Sequence, residues 1–433
     1  MNSKKKGYQE SVSYLYNLQK FGIKFGLSKT ANLLKSLGNP HKGQKYIHIG
    51  GTNGKGSVAA FIASVLQQTG LRVGLYTSPH LVRFTERFRI NHVEITREKA
   101  ADLIEELKGA IVSVEPPTFF EATTAMALAY FAREHTDISI MEVGMGGRLD
   151  ATNVITPLVS VITNISMEHE SYLGSRLLDI AGEKGGIIKK GVDVVTGVTQ
   201  PSVIGLFESI CGNKKSRMWR LGKDIRYRTT ALGLHYCGIN HHLKGLNLGL
   251  RGKFQSRNGA LALAAIEQLE EKGFSISSRD IREGLKKAIW PGRMQVVAKN
   301  PTIILDGAHN PKAMRTLADA IKTGFQFRRM ILVIGVMKDK AIGQILRRII
   351  PLSDYVIYTR PVYYRAASPE TLMTNGSRLG KPGEIAPLLT EGIKKAKEIA
   401  DPQDLIVICG SLFTVGEAMT YFDPETYKPD DFQ

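Results

Sequence analysis

Acidic residues are in short supply in this 433-residue chain: 40 Asp and Glu stand against 58 Lys and Arg, for a formal net charge of +18. A surplus of that size points to an anionic partner, whether nucleic acid, an anionic membrane or a polyanionic small substrate. Cysteine is scarcer still, at 3 residues. Cys211, Cys237 and Cys409 show no C-x-x-C spacing, which argues against a disulfide framework or a structural zinc site and fits a reducing compartment. No uncharged apolar run approaches the roughly 20 residues that span a bilayer. The basic start Met1-Asn2-Ser3-Lys4-Lys5-Lys6 is followed by no apolar segment, so neither a membrane span nor a signal peptide is expected, and the expected location is cytoplasmic. Internal repeats, low-complexity segments and basic stretches interleaved with aromatics are also missing, which counts against a nucleic-acid module.

What is present suits a large globular protein. Hydrophobic residues make up 43% and charged residues 23%, enough for two or three domains with sizeable cores. A helical pattern over Tyr8–Leu37, broken near Gly22 and Gly26, opens the chain. Strands are then predicted at Tyr46–Ile49, Arg72–Tyr76, Ile138–Val143 and Leu158–Ile165, and helices at Ser57–Gln68, Thr123–Glu134 and Leu178–Lys190. Such alternation builds right-handed βαβ units and a largely parallel sheet. Short, Gly-punctuated runs from Met218 to Leu250 predict antiparallel strands, before a helix over Asn258–Lys272. After the Trp290-Pro291-Gly292 break, strands are predicted at Thr302–Leu305, Met330–Ile334, Tyr355–Tyr358 and Leu405–Cys409, with helices at Lys312–Lys322, Ala341–Ile350 and Glu391–Ala400. The expected fold is α/β. A P-loop-type domain over residues 1–295 has a mostly parallel sheet and a smaller antiparallel section, and a Rossmann-like domain follows over 296–433. Their junction is the expected place for an active site.

The 43 glycines gather partly in loops where backbone must approach a ligand. Gly50-Gly51-Thr52-Asn53-Gly54-Lys55-Gly56-Ser57 lies between an apolar strand and a helix. There, glycines let backbone N–H groups wrap a phosphate chain, Lys55 supplies charge and Ser57 can meet Mg²⁺. Gly56 separates Lys55 from Ser57, unlike the standard P-loop. A plain Gly-rich turn is the alternative, and the strand–loop–helix setting favours a nucleoside triphosphate such as ATP.

Further motifs follow in order: Thr77-Ser78-Pro79-His80, Arg83-Phe84-Thr85-Glu86-Arg87, Glu142-Val143-Gly144-Met145-Gly146-Gly147-Arg148-Leu149-Asp150-Ala151-Thr152-Asn153, Glu168-His169, Glu183-Lys184-Gly185-Gly186-Ile187 and Asp306-Gly307-Ala308-His309-Asn310-Pro311. This series resembles the folylpolyglutamate synthase/dihydrofolate synthase family, a branch of the Mur ligase superfamily. The resemblance runs from Gly22-Ile23-Lys24-Phe25-Gly26-Leu27 to Gly410-Ser411-Leu412.

The resemblance implies roles position by position. Asn53, Gly54, Lys55, Gly56 and Ser57 would hold ATP together with Asn258, Arg293 and Asp306. Ser78, Glu142, His169 and a carbamate on Lys184 would hold two Mg²⁺ ions, and Lys55, Lys184 and His309 would be catalytic. Gly26, Leu27, Ser28, Thr118, Phe119, Phe120, Glu121, Leu149, Asp150 and Ala151 would receive the pterin-bearing substrate, with Ser411 near the glutamate site. Taken singly, Ser78 reads equally as a turn cap, Glu142 as half of an ion pair, His169 as a structural histidine, and Phe119 or Phe120 as core. Relatives carry Asp-His where this chain has Glu168-His169, and Lys-Ala-Gly where it has Lys184-Gly185-Gly186.

The implied reaction is ATP-dependent ligation of L-glutamate to dihydropteroate and to reduced folates, through an acyl phosphate. Lys55, the Mg²⁺ ions, Arg293 and His309 would neutralise charge. The implied partners are these small molecules, with no nucleic acid or membrane, and a monomeric chain. A sibling ligase acting on a cell-wall precursor is the nearest rival; the Arg148–Asn153 run and the Arg83–Arg87 loop favour folate. Ala151 stands where some relatives that only elongate carry Ser, which favours both activities over elongation alone.

Overall fold

The computed structural model describes residues 2–22, 26–111 and 115–430, so Ile23, Lys24 and Phe25 of the Gly22–Leu27 stretch lie outside the described residues. The main sheet has eight strands in the order Val93–Glu94, Phe88–Ile90, Val73–Tyr76, Ile138–Glu142, Tyr46–Gly50, Val159–Ile162, Asp193–Thr196 and Met218–Arg220. From Val73–Tyr76 onward every pairing is parallel, and the two edge strands before it are antiparallel. Tyr46–Gly50 and both its neighbours are buried at every position, as a parallel sheet covered on both faces requires.

Helix Lys55–Gln68 is buried without a break from Ser57 to Leu66 and packs against helices Gln255–Glu270 and Ser278–Lys287. Alanines at 59, 60 and 63 facing a Gln255–Glu270 helix with alanines at 260, 262, 264 and 265 leave little side chain between the layers. Ser64 donates to the Gly284 carbonyl at 2.7 Å where the helices meet.

The antiparallel section begins later than the sequence pattern suggested. Met218–Arg220 is a parallel edge strand of the main sheet, paired with Asp193–Thr196, because helix Pro201–Lys214 forms a crossover between them. The separate three-stranded sheet is Arg226–Thr230, Gly233–Cys237 and His242–Leu246, and its Leu234, Tyr236, Leu243 and Leu246 join the core around helix Gln255–Glu270.

The third sheet runs Gln295–Ala298, Thr302–Asp306, Leu405–Cys409, Met330–Ile334, Tyr355–Tyr358 and Gly383–Ile385, with only the first strand antiparallel. Alternate strand residues separate into two apolar layers. Ile304, Leu332 and Val407 face Met314 and Ile345, while Leu305, Val333 and Ile406 face Ile393 and Val415. No helix among the described residues is long and apolar enough to cross a membrane.

The end of the chain returns to the first domain. Asp430, 2% exposed, accepts from the Phe84 N–H at 2.9 Å, from Arg97 at 3.3 Å and from the Tyr8 hydroxyl at 3.4 Å. Arg83 donates to the Thr426 carbonyl at 2.7 Å in the same strap. Replacing Asp430 by Ala leaves a buried N–H and a cation without their acceptor, which costs about 1–3 kcal/mol. A urea titration of Asp430→Ala is expected to show that loss, and an unchanged midpoint would remove the strap from the stability of the fold.

Candidate active site

Three loops leave the carboxyl ends of adjacent parallel strands, the place where open α/β sheets gather ligands. The first follows Tyr46–Gly50. Gly51 has φ +120° and Gly54 φ +89°; a Cβ on Gly51 would run into the Thr163 hydroxyl, and one on Gly54 would stand 2.7 Å from Asn258 Oδ1. The loop is pinned from the side by the segment after Val159–Ile162. Thr163 Oγ1 and Asn164 Nδ2 donate to the Asn53 carbonyl at 2.8 and 2.7 Å, and the Thr52 N–H donates to the Asn164 carbonyl at 2.9 Å. Helix Lys55–Gln68 then starts with no side-chain cap, so its first N–H groups and positive dipole end face the loop. Lys55 Nζ lies back on the loop, donating to the carbonyls of Gly51 and Thr52 at 3.3 and 3.4 Å.

Asn258 is held beside this loop by its bond to Gln255 Oε1 at 2.8 Å, and Gln255 reaches Ser57 Oγ at 3.4 Å. The second domain contributes Asn310, whose amide donates to Asn53 Oδ1 at 2.9 Å while its own Oδ1 caps helix Pro311–Gly324 through the Ala313 N–H. Asp306 accepts from the N–H groups of Met294 and Ala308, both at 2.9 Å; burial raises its pKa, and the Arg293 cation nearby opposes that. His309 Nδ1 lies 2.8 Å from the Gly307 carbonyl, an acceptor only, so Nδ1 carries the proton and Nε2 the lone pair. Burial, Lys340 and Arg293 push its pKa down to about 4. His309 is therefore held toward the neutral form, with its lone pair on Nε2.

Glu142 ends the strand Ile138–Glu142 and is 6% exposed. Its one hydrogen bond among the described residues comes from the Ser78 N–H at 3.4 Å; burial raises its pKa against the pull of Lys55, Arg293 and Arg87. Lys184, 2% exposed, donates to Glu168 Oε1 at 2.7 Å and to the Gly51 carbonyl at 3.1 Å. Burial opposes ionisation of Glu168, yet Lys184 and Lys55 hold it at about 2; burial lowers Lys184. His169, at φ 50°, is pushed down to about 4 by burial and by Lys340. Ser78 and Glu142 are thus brought together, whereas His169 precedes helix Glu170–Leu173 and Lys184 lies in the last turn of helix Leu177–Gly185. The field of Lys55 reaches Glu142, Glu168, His169 and Lys184 alike. Among the described residues no three His, Cys, Asp or Glu side chains gather around one point.

The third part is aromatic. Thr118 and Glu121 form a reciprocal cap on helix Phe119–Arg133, with the Thr118 N–H donating to Glu121 Oε2 at 2.7 Å. Phe119 stacks on Tyr16 at 5.3 Å and 12°, and Phe120 leans on Tyr76 at 6.1 Å. Asp150 accepts from the N–H groups of Met145 and Thr152 at 2.9 and 3.0 Å, which fixes the turn that presents Leu149 and Ala151.

The aromatic part lines a cleft of about 1970 Å³ with Gly26, Ser78, Thr118, Phe119, Phe120, Glu121, Leu149, Asp150, Ala151, Glu168, His169, His309 and Asn310. Asn53–Ser57, Glu142, Lys184, Asn258, Arg293 and Asp306 do not line it; Gly56, Glu142 and Arg293 line a small cavity of about 50 Å³ that shares Ser78 with the cleft. Leu27, Ser28 and Ser411 do not line the cleft. Ser28 opens helix Ser28–Ser36, and Ser411 caps helix Leu412–Phe422 by accepting from the Thr414 N–H at 2.9 Å. Sequence reasoning missed Tyr16, which sits in an ordinary helical pattern, and passed over Asn164. Asn310, Glu168, His80 and Arg87 lay inside quoted motifs without a role.

Residues 49–266 match the Mur ligase middle domain, and residues 292–412 match the glutamate ligase domain of Mur ligases. The dihydrofolate synthase/folylpolyglutamate synthase of Bacillus subtilis is 33% identical over 95% of this chain and 98% of its own length. The chain belongs to the dihydrofolate synthase/folylpolyglutamate synthase family of Mur ligases. Escherichia coli FolC in complex with DHPP and ADP superposes with a TM-score of 0.89 at 31% identity, covering 96% of this chain and 98% of that one. A Yersinia pestis bifunctional folylpolyglutamate synthase/dihydrofolate synthase with Mn, AMPPNP and L-glutamate bound gives 0.86 at 30%, covering 95% and 97%. The chain spans about half the length of two haloarchaeal relatives, 52% of that from Haloferax volcanii and 51% of that from Halobacterium salinarum, both 33% identical.

Lys55→Ala removes the one side-chain cation of the phosphate loop without opening a core. Turnover is expected to fall by about 10²–10³-fold with the thermal midpoint held, measured as ADP release and by calorimetry. Unchanged turnover would remove Lys55 from the phosphate site.

Proposed function

We infer that the chain is an ATP-dependent ligase joining L-glutamate to dihydropteroate and to folyl acceptors. One observation carries this: Asn310 of the second domain donates to Asn53 of the Gly-rich loop while itself lining the cleft that holds the aromatic pocket. An acceptor carboxylate oxygen attacks the γ-phosphorus of ATP, the terminal P–O bond breaks, and ADP leaves. The glutamate amine then attacks the acyl carbonyl, the C–O bond to phosphate breaks, and inorganic phosphate departs.

The chain's own groups serve mainly to position and neutralise. Loop N–H groups, Lys55 and Arg293 hold the polyphosphate, and Asn258 fixes the wall beside it. His309 Nε2 can accept the proton that the attacking amine releases. The Asn53–Asn310 contact marks where the two domains close, which keeps water from the acyl phosphate.

The donor set fits a hard divalent cation. Glu142 is a buried carboxylate whose one weak partner is the Ser78 N–H, Ser78 carries a hydroxyl, and burial holds His169 toward the neutral form. Ser78, Glu142, His169 and a carbamate on Lys184 would hold two Mg²⁺ ions, which when bound offset the charge of the triphosphate. The carbamate fits Lys184 because burial lowers its basicity, and carbon dioxide reacts only with the neutral amine. A monomer and a cytoplasmic location complete the reading, the latter suited to three unpaired cysteines.

Lys184→Ala is expected to be nearly inactive and partly restored by acetate; full activity in buffer freed of carbon dioxide would remove the carbamate from the mechanism. The reading as a whole is tested by steady-state ligation with dihydropteroate and tetrahydrofolate as separate acceptors, with ATP and glutamate saturating. Product is expected from both, and product from tetrahydrofolate alone would leave an elongating synthase.

A further inference from the structure

Arg87 is a buried cation that the mechanism above does not use. It lies at the end of the turn Phe84–Arg87 and is 5% exposed, yet it lines the cleft. Its backbone is fixed in advance: Glu86 accepts from the N–H groups of Leu81, Val82 and Arg83 at 2.9, 2.9 and 2.8 Å, and the Arg87 carbonyl accepts from the Thr77 N–H at 3.2 Å.

The guanidinium is oriented as well as placed. Arg87 Nε donates to His80 Nδ1 at 2.8 Å, and the carbon of the guanidinium lies 5.1 Å from the centre of the Phe119 ring. Because an arginine nitrogen can only donate, His80 Nδ1 must accept, and the imidazole proton sits on Nε2, 3.2 Å from the Tyr16 hydroxyl. Tyr16 in turn stacks on Phe119. One end of the guanidinium is thereby tied down, while Nη1 and Nη2 have no hydrogen-bond partner or ion pair among the described residues. A cation this deeply buried is costly unless an anion meets it. Its field reaches Tyr76 on the aromatic side and Glu142 on the phosphate-loop side, so it stands between the two halves of the site.

We propose that the Nη edge of Arg87 holds the carboxylate of the aromatic acceptor, and that His80 positions the guanidinium for it. This rests on the reading of a dihydropteroate acceptor. A flat ring laid against the Tyr16–Phe119 stack and Phe120, which line the same cleft as Arg87, can turn its carboxylate to the Nη edge, and a planar guanidinium matches a carboxylate with two parallel N–H groups. In a folyl acceptor the same point of the ring carries a neutral amide, whose bonds to a cation are weaker than those of a carboxylate. Arg87 therefore favours the first glutamate addition over later ones.

The test is equilibrium binding of dihydropteroate, and of its analogue with hydrogen in place of the carboxylate, to the full chain with ADP present. Arg87→Ala is expected to weaken dihydropteroate by about 10- to 100-fold and to leave the analogue nearly unchanged. Arg87→Lys keeps the charge and much of the packing, and is expected to show a smaller loss confined to the carboxylate ligand. His80→Asn retains an acceptor for Arg87 Nε and should preserve most of the discrimination, whereas His80→Leu should lose it without touching the ligand. Equal weakening of both ligands, or no weakening in either Arg87 variant, would overturn the anchor. A wild-type chain that binds both ligands but transfers no glutamate to dihydropteroate would instead overturn the functional reading.

Discussion

The parallel alignment of Tyr46–Gly50 between Ile138–Glu142 and Val159–Ile162 is the constraint on which the site depends. Parallel strands deliver their following loops to one edge of the sheet, so three segments far apart in sequence end within hydrogen-bonding reach. The loop after Val159–Ile162 grips the phosphate loop through Thr163 and Asn164, and Glu142 ends its strand facing Lys55. The third sheet adds its own carboxyl edge from the opposite side, with Asp306 at the end of Thr302–Asp306 and Asn310 reaching Asn53.

The electrostatics follow from that convergence. Among the described residues Lys55 donates only to carbonyl oxygens of its own loop, yet its field shapes Glu142, Glu168, His169 and Lys184 together. Burial drives histidines 169 and 309 toward the neutral form, while Lys184, its pKa lowered by burial, pairs with Glu168. The carboxylates on the first domain's side are spent largely on structure: Asp150 shapes a turn, Glu121 caps a helix, and Glu168 pairs with Lys184. That leaves backbone N–H groups, Lys55, Arg293 and Arg87 as the groups proposed to meet anionic ligands. The chain's +18 charge is consistent with substrates of the opposite sign.

The strap at Asp430 ties the far end of the chain to the turn that carries Arg87, by accepting from the Phe84 N–H. The last segment of the second domain thus supports a wall of the first domain's pocket. The same turn is braced internally by Glu86, so His80 and Arg87 are held from two directions.

Much of this was legible in the residues, because local chemistry is written locally. The order of strands and helices, the Gly-rich loop and the ends of strands at Glu142 and Asp306 all follow from short-range periodicity and glycine placement. Boundaries moved where tertiary contacts decided them, as when Met218–Arg220 joined the parallel sheet instead of an antiparallel one. Side-chain roles were less legible. Ser411 reads as a candidate ligand in sequence, but its hydroxyl is used to cap a helix. Tyr16 carries no motif, yet it reaches both Phe119 and His80 once the first helix is packed. The sequence by itself determined which family the chain belongs to and where the Gly-rich strand-to-helix loop lies. Only the tertiary structure decided which side chains still have unused polar atoms facing the cleft, because that depends on partners contributed by distant parts of the chain.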